Sequence, residues 1–239
     1  MVALAPAQAG FFGPDEITLW FRADITVGPD GRVKELEWRN YKPMPAPAVQ
    51  GLERHVRAWR FRPTIEVAPG EAITTTLTVQ LTARERKDGE FGLYVEEAFT
   101  GPSLLDVPNE DGWQRWERID SGYRPASVEI VYEVDWNAGA AQRIELIEFG
   151  ASNSRKEYRA AQEARADTQI RAWTVKPETV SGRPVDARFR YLYAHCVIPA
   201  WCDRNDFRRF RGLPEVPRGD PVPLSSVLQL ETPVRDLEL

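Results

Sequence analysis

The sequence predicts an α+β protein built from two tandem repeats, each a small antiparallel β-β-α-β sheet with one packed helix. Two observations lead to this prediction. The stretch Trp59-Arg60-Phe61-Arg62-Pro63 ends a run with helical spacing, and Trp173-Thr174-Val175-Lys176-Pro177 echoes it later in the chain. Alternating apolar residues precede and follow each stretch. Because one period accounts for all of these elements, two copies of a small unit are the simplest interpretation.

The composition is that of a globular protein with room for two small domains. The chain has 239 residues, of which 42% are hydrophobic and 28% are charged. A net charge of −5 and a pI near 5.3 argue against a nucleic-acid-binding protein. The sequence contains no run of ~18 apolar residues, so we expect no transmembrane segment.

The first repeat is predicted to span residues 14–85. Apolar residues alternate over Ile17–Val27, turn-forming residues follow at Gly28–Gly31, and a second strand runs to Arg39. One apolar stripe then recurs at helical spacing, at Val49, Leu52, Val56 and Trp59. Ile73–Leu81 alternates again, with Thr74, Thr76 and Thr78 on its outer face.

The second repeat is predicted to span residues 113–202, after a connector at 86–112 that contains a short strand at Phe91–Ala98. Val128–Trp136 corresponds to the first strand, and Val185–Tyr193 corresponds to the last. Ser154 and Glu157 have the spacing of a capping box that begins the second helix. Glu163 falls where an apolar residue is expected, so this helix has a poorer apolar stripe.

The two ends of the chain differ in character from the repeats. Residues 1–13 include Ala7-Gln8-Ala9, which has the small-x-small form of a signal-peptidase site. This segment is either the end of a secretory signal or a flexible start. Residues 203–239 are first Arg-rich and then Pro-rich, and we expect little regular structure there apart from a short strand within Ser225–Leu230. The arginines around Phe207 and Phe210 belong either to a solvated arm or to a site that binds an anionic surface.

Cys196 and Cys202 are the only cysteines. In an exported protein, two cysteines this close in sequence favour a disulfide, and the alternative is two buried free thiols. His195 is adjacent to Cys196, but neighbouring residues of a strand point to opposite faces, which argues against a thiol–imidazole pair. Together these three residues are too few for a zinc site at usual spacing.

The order of motifs resembles the C-terminal domain of TonB, the energy transducer of Gram-negative envelopes. The shared features are an alternating strand before Asp30-Gly31, an amphipathic helix that ends in W-x-F-x-P, and the turn Gly70-Glu71-Ala72-Ile73 before a last strand. The second copy has Gly182-Arg183-Pro184-Val185. The transmembrane helix and proline-rich spacer of the family's transducers do not occur in this sequence.

The resemblance implies a periplasmic, exported protein that binds a protein partner of the cell envelope, such as an outer-membrane protein, by strand addition at a sheet edge. We expect the better edge in the second repeat, at Val185, Asp186, Arg188, Arg190 and Tyr191. Thr74, Thr76 and Thr78 mark a second edge in the first repeat. Either edge is instead covered if the two copies pair with each other, or if Phe91–Ala98 folds back over the first.

The sequence indicates a non-enzymatic protein, because it contains no recognisable catalytic motif, metal-ligand spacing or phosphate-binding glycine loop. We therefore expect no catalytic residue, metal or cofactor. Trp59 and Trp173 are predicted to be core residues rather than ligand-stacking ones. Two alternatives remain: a structural or regulatory envelope factor that acts through its C-terminal tail, and a hydrolase with an unrecognised site.

Overall fold

Strands account for most of the residues described by the computed structural model, which are 16–39, 46–86, 89–106, 127–137, 140–151, 160, 164, 167–168, 170–196 and 221–239. The chain forms two compact units that interleave along the sequence. Unit 1 takes Met1–Gly101, Glu178–Arg183 and Ser226–Leu239. Unit 2 takes Pro102–Pro177 and Pro184–Ser225.

Unit 1 is organised around a curled antiparallel sheet with the strand order β11-β10-β4-β1-β2, to which β5 adds on β4 and β15 adds on β5. Its elements are β1 (Glu16–Val27), β2 (Val33–Trp38), α1 (Ala46–Ala58), β3 (Phe61–Pro63), β4 (Ile73–Glu85), β5 (Phe91–Gly101), β10 (Thr179–Val180), β11 (Arg183–Pro184), β14 (Leu228–Leu230) and β15 (Leu237–Glu238). β14 pairs separately with β3.

The alternation of β1 determines which face of this sheet forms the core. Phe21, Ala23, Ile25 and Val27 are all buried. They are paired across the ladder with the buried residues Val79, Leu77, Thr75 and Ile73 of β4. Leu52 and Val56 of α1 are also buried, as is Trp59, whose exposed fraction is 1%. Trp59 is therefore a core residue of unit 1.

The β1–β2 turn requires glycine at position 31. Gly31 has a φ of +73°, a conformation that glycine adopts without the steric cost that a side chain brings. A Cβ at this position would lie 2.4 Å from the carbonyl oxygen of Phe61. The N–H of Phe61 in turn donates to the Gly31 carbonyl at 2.9 Å. The glycine thus both closes the hairpin and admits the chain that follows α1.

Unit 2 contains a four-stranded sheet with the order β13-β12-β7-β8 and a separate β6–β9 pair. The strands are β6 (Ser103–Asp106), β7 (Ser127–Asn137), β8 (Ala140–Ala151), β9 (Thr174–Lys176), β12 (Ala187–Cys196) and β13 (Pro221–Pro223). The core includes Tyr132, Ile170, Trp173 and Phe189. Trp173 is 4% exposed, and its ring centroid lies 4.5 Å from that of Tyr191.

The predicted fold class, an α+β arrangement of two β-β-α-β repeats, is wrong. The structure is mostly β, and α1 is the one helix with defined bounds in the described ranges. The reason is that segments outside the two predicted repeats also form strands. The connector contributes β6 in addition to β5, the strand expected at Phe91–Ala98, and the proline-rich tail contributes β13 and β15 in addition to β14. Both sheets therefore extend beyond the predicted units. A segment can add to the edge of a sheet because its main-chain groups pair with those of the edge strand, even where its sequence has no apolar alternation.

Some expectations fall outside the described residues. These are the start at 1–13, the Arg-rich part of the tail, and Cys202 with the predicted disulfide. The expected strand within Ser225–Leu230 is present as β14.

Candidate functional site

The predicted binding edge, the outer side of β12, is occupied by a strand from the tail. β13 pairs antiparallel with it in the register Phe189↔Pro223, Arg190↔Val222 and Tyr191↔Pro221. The ladder continues past β13, where the N–H of Leu224 donates to the Arg188 carbonyl at 2.9 Å. The expectation of little regular structure in the tail outside Ser225–Leu230 is therefore wrong at β13.

The proline pattern of β13 explains how it pairs. In an antiparallel ladder, every second residue exchanges hydrogen bonds with the partner strand. Since Leu224 bonds to Arg188, the next bonded pair along the register is Val222 with Arg190. Pro221 and Pro223 occupy the alternate positions, where an N–H would point away from β12. The prolines therefore cost no ladder bond, and they remove the donors that a further strand would need.

The two arginines of the predicted edge form ion pairs within the sheet. Arg188 Nη2 lies 2.6 Å from Glu133 Oε2, and Arg190 Nε lies 2.6 Å from Glu133 Oε1. Arg188 also contacts Asp135 at 3.3 Å. Burial acts to raise the pKa of Glu133, but the hydrogen bonds from Arg190 and Arg188 outweigh it, so the pKa is lowered.

The remaining residues of the predicted edge do not form a common surface. Val185 lies before β12 and is half-buried, while Asp186 accepts a hydrogen bond from Asn137 Nδ2 at 2.9 Å. Tyr191 is buried in the core of unit 2. Tyr191 is therefore a packing residue, and we do not place it among binding residues.

The second predicted edge, in β4, has strands on both sides. β1 pairs along the whole of one side. On the other side β10 pairs with Thr74, and β5 pairs from Thr76 onwards. The fold-back of Phe91–Ala98 over this edge, the alternative read from the sequence, is thus what β5 does. Thr74, Thr76 and Thr78 are not available for strand addition.

The other edge of the sheet in unit 2 is the outer side of β8. Among the described residues, no strand pairs with β8 other than β7. β8 has 12 residues, twice the length of β2, which ends the sheet of unit 1. Such a strand presents a row of N–H and C=O groups that a further strand can use.

Backbone alternation across the sheet shows which groups of β8 point outward. The main-chain N–H and C=O groups of Arg188 and Arg190 point toward β13. Those of Phe189, the residue between them, therefore point toward β7 and bond to Val134. One residue along β7, the main-chain groups of Glu133 point the other way, toward β8, and bond to Glu145. The N–H and C=O of Ile144 consequently point away from β7. The Ile144 side chain, by contrast, packs on the core of unit 2.

One end of this edge is already capped. Arg171 Nη1 donates to the outward carbonyl of Ala141 at 3.3 Å, and Asp167 holds the same guanidinium through contacts of 2.8 and 3.0 Å. Two register shifts also interrupt the β7–β8 ladder, one beside Asp135 and one beside Val131. The cap and the first shift limit pairing at the Ala141 end, so the usable edge begins at Ile144, and the second shift interrupts it at Ile147.

A buried carboxylate in unit 1 was not predicted from the sequence. Glu178 is 2% exposed and accepts hydrogen bonds from Thr75 Oγ1 at 2.7 Å, Ser226 Oγ at 2.8 Å and the Val227 N–H at 3.0 Å. Thr100 Oγ1 lies 2.8 Å from Ser226 Oγ and donates to the Leu228 carbonyl at 2.6 Å. The cluster joins β4, β5 and the tail.

The chemistry of this cluster is structural. Burial raises the pKa of Glu178, and the three hydrogen bonds oppose that rise. Both carboxylate oxygens already accept protein donors, so the enclosed group fastens Ser226–Leu228 rather than serving a substrate. The Pro177-Glu178-Thr179 stretch gives no sequence signal for this role, because its partners are more than 40 residues away along the chain in both directions.

Of the residues weighed above for catalysis or metal binding, His195 and Cys196 lie at the end of β12, and Cys202 lies outside the described residues. The other histidine, His55, lies in α1 and is half-buried. Within the described ranges, no three metal-ligating side chains come together. In the same ranges, no helix is long and apolar enough to cross a membrane.

Comparisons with known proteins return no relative. No family model, curated protein or solved structure matches this chain. The similarity to the TonB C-terminal domain therefore depends on the motifs quoted above.

Proposed function

We propose that this protein is a non-enzymatic binding protein that takes an extended protein segment by strand addition at the outer edge of β8. The observation that carries the proposal is a 12-residue edge strand with no second strand partner among the described residues. Strand addition supplies affinity through main-chain hydrogen bonds and supplies specificity through alternate side chains. The length of β8 beyond Ile144 is sufficient for several such bonds.

Charge along β8 suggests how a partner is selected. Arg143 contacts Glu145 on the same strand and lies 3.9 Å from Asp135. All three side chains are substantially exposed. A partner segment with mixed charge would replace these exposed contacts without leaving a buried charge, whereas a segment of one sign would meet a like charge.

Location in the cell envelope is part of the proposal. Its support is the resemblance to the TonB C-terminal domain together with the closely spaced Cys196 and Cys202, which suit an oxidising compartment. Fractionation of cells that express the chain, with a thiol count under denaturing, non-reducing conditions, tests both parts. Recovery from the cytosol with two free thiols would overturn this location.

A role for the C-terminal tail as the binding element has less support. The described part of the tail, residues 221–239, forms β13, β14 and β15 and therefore belongs to the sheets. A segment that completes the fold is a poor candidate for a free binding arm. The polar cluster at Glu178 gives no support to a hydrolase, because this carboxylate is buried and already accepts three protein donors.

The test uses the full chain as bait for a displayed library of random peptides. Recovered peptides are then measured against Ile144→Pro and Ile144→Ala. Both variants lose the same apolar side chain, but only proline removes the outward N–H while leaving the β7–β8 bonds in place. We expect Ile144→Ala to bind within about twofold of the wild type and Ile144→Pro at least about tenfold more weakly, since the loss of one bond of about 1.4 kcal/mol is a tenfold effect.

Amide exchange identifies the edge that is used. On binding, we expect the amide of Ile144 to be protected while the amide of Arg190 is unchanged. Recovery of no peptide, or equal binding to the proline and alanine variants, would overturn strand addition at β8.

A further inference from the structure

The last residues of the chain sit on the outer edge of β5 as a short added strand. β15 pairs with β5 in the register Leu237↔Val95 and Glu238↔Tyr94. The N–H of Asp236 donates to the Val95 carbonyl at 2.8 Å, and the N–H of Leu239 donates to the Leu93 carbonyl at 3.0 Å. This is strand addition within one chain, at an edge in unit 1 that is unrelated to β8.

Two arginines form ion pairs with the acidic side chains of this segment. Arg84 Nη1 lies 2.8 Å from Asp236 Oδ1, and Arg86 Nη2 contacts Glu238. The acidic residues are two positions apart, as are the arginines. Charge and spacing are thus matched along the edge, in addition to the main-chain bonds.

The arginines are positioned independently of the segment. Arg84 also contacts Glu96, and its guanidinium carbon lies 5.5 Å from the ring centroid of Tyr94. Arg86 passes over Gly92, where a Cβ would lie 2.8 Å from Arg86 Nε. The Arg86 side chain can lie here because Gly92 has no Cβ. The receptor side of the contact would persist if the segment left.

The segment itself covers only a small part of the outer edge of β5. It pairs with only two residues of a strand of 11 residues. Asp236 has a φ of +61°, a left-handed conformation that is uncommon outside glycine. The Nε–H of Arg86 is buried and has no acceptor among the described residues, although a carboxylate in bidentate contact would satisfy it together with Nη2. In these ion pairs Asp236 and Glu238 are 61% and 45% exposed and the two arginines are 34% and 35% exposed, so water reaches both pairs and weakens them.

We infer that the outer edge of β5 is a binding site for an extended protein segment with acidic residues at alternate positions, and that residues 236–239 occupy this site in cis. A longer segment would pair with more of β5 and satisfy Arg86 bidentately. It would displace β15, while β5 itself would stay paired with β4. The inference does not depend on the proposed use of β8.

The test uses the full chain with Asp236→Lys and Glu238→Lys, which places lysines opposite Arg84 and Arg86. Both positions are exposed, so this variant should retain its fold. The probe is a fluorescent synthetic peptide of the wild-type sequence Pro233–Leu239, measured by anisotropy. A peptide with lysine at the two acidic positions is the matched control. We expect the acidic peptide to bind the variant at least tenfold more tightly than it binds the wild-type chain, and the control peptide to bind neither.

Amide exchange at Val95, which pairs with Leu237, reports the state of the edge. This amide should exchange faster in the variant than in the wild type and slow again when the acidic peptide is added. Fast exchange without peptide binding would overturn the site, and so would unchanged slow exchange in the variant. A wild-type dimer held together by exchanged segments, detected by sedimentation, would overturn occupancy in cis. Unchanged protection of Ile144 throughout separates this result from any outcome at β8.

Discussion

The two edges of the sheet in unit 2 are built from similar strands but have different neighbours. β12 and β8 are both long, and both flank β7. β12 is covered by Pro221-Val222-Pro223, which donates to it at Val222 and offers no N–H on the far side. The outer edge of β8 is capped by Arg171 at Ala141, and no strand pairs with that edge among the described residues.

The difference shows that one sheet can close one edge and leave the other available. Proline is usually taken as a sign that a segment is not a strand, yet at an edge its missing N–H is an advantage. The acidic partners differ in burial. Arg188 and Arg190 on β12 pair with Glu133, which is 9% exposed, whereas Arg143 on β8 pairs with Glu145, which is 45% exposed.

The largest expected effect comes from Trp173, whose loss should weaken both edges alike. Trp173→Ala removes a large side chain from the core beneath the sheet, and we expect the free energy of unfolding to fall by about 3–5 kcal/mol. Urea denaturation measures the loss, and amide exchange should speed up in β12 and β8 together. An effect confined to one edge would contradict a shared core.

A smaller loss should follow from Glu178→Ala, which releases the chain just after β13. The substitution removes the acceptor of the Val227 N–H and of two hydroxyl groups. We expect a loss of about 3 kcal/mol, because buried donors without partners are costly. Glu178→Gln is the control, since its Oε1 can still accept from Thr75 and Ser226. Equal stability of the alanine variant and the wild type would show that the tail does not depend on this clamp.

The pH dependence of stability provides a separate readout of Glu178. The folded chain holds this proton more tightly than the unfolded chain, because burial raises the pKa. The resulting stabilisation is fully present below the ordinary glutamate pKa and is lost as pH rises through the raised pKa. Relative to Glu178→Gln, the wild type should therefore lose stability with rising pH in that window. Parallel stability curves for the two proteins would contradict the assignment.

Val222→Pro should open the covered edge selectively. It removes the one N–H that β13 gives to Arg190, whereas Val222→Ala keeps that N–H and loses only side-chain packing. We expect the proline variant to be about 1 kcal/mol less stable than the alanine variant, the net worth of one hydrogen bond. Faster amide exchange at Arg190 in the proline variant alone would locate the effect. If exchange at Arg190 is the same in both variants, β13 is not held as described.

The smallest effect on stability is expected for Pro223→Ala, which should nevertheless change the character of the edge. The new N–H points away from β12, so we expect a change in stability within about 0.5 kcal/mol. The covered edge would then carry an additional donor for pairing with a second copy. Sedimentation at increasing concentration should detect more self-association than in the wild type. Identical sedimentation would indicate that the prolines serve another purpose.

The sequence by itself determined the strands with a strong alternating pattern and the residues beneath them. Ile17–Val27 and Val128–Trp136 alternate because one face of each strand is buried, and that pattern is local. Gly31 is likewise predictable, because a tight turn with positive φ selects glycine whatever surrounds it. Trp59 and Trp173 lie in the two cores, where a large apolar side chain after an amphipathic helix is expected.

Only the tertiary structure decided which edges are covered and which residues hold the tail. Pro221-Val222-Pro223 has no strand pattern of its own, and it becomes a strand because β12 supplies the partner groups. Glu178 is surrounded by Thr75, Ser226 and Val227, which come from distant parts of the chain. Strand pairing and buried hydrogen bonds depend on groups brought together in space, and one-dimensional periodicity does not record them. The candidate site therefore lies on β8 and not on β12, whose outer side is covered by β13.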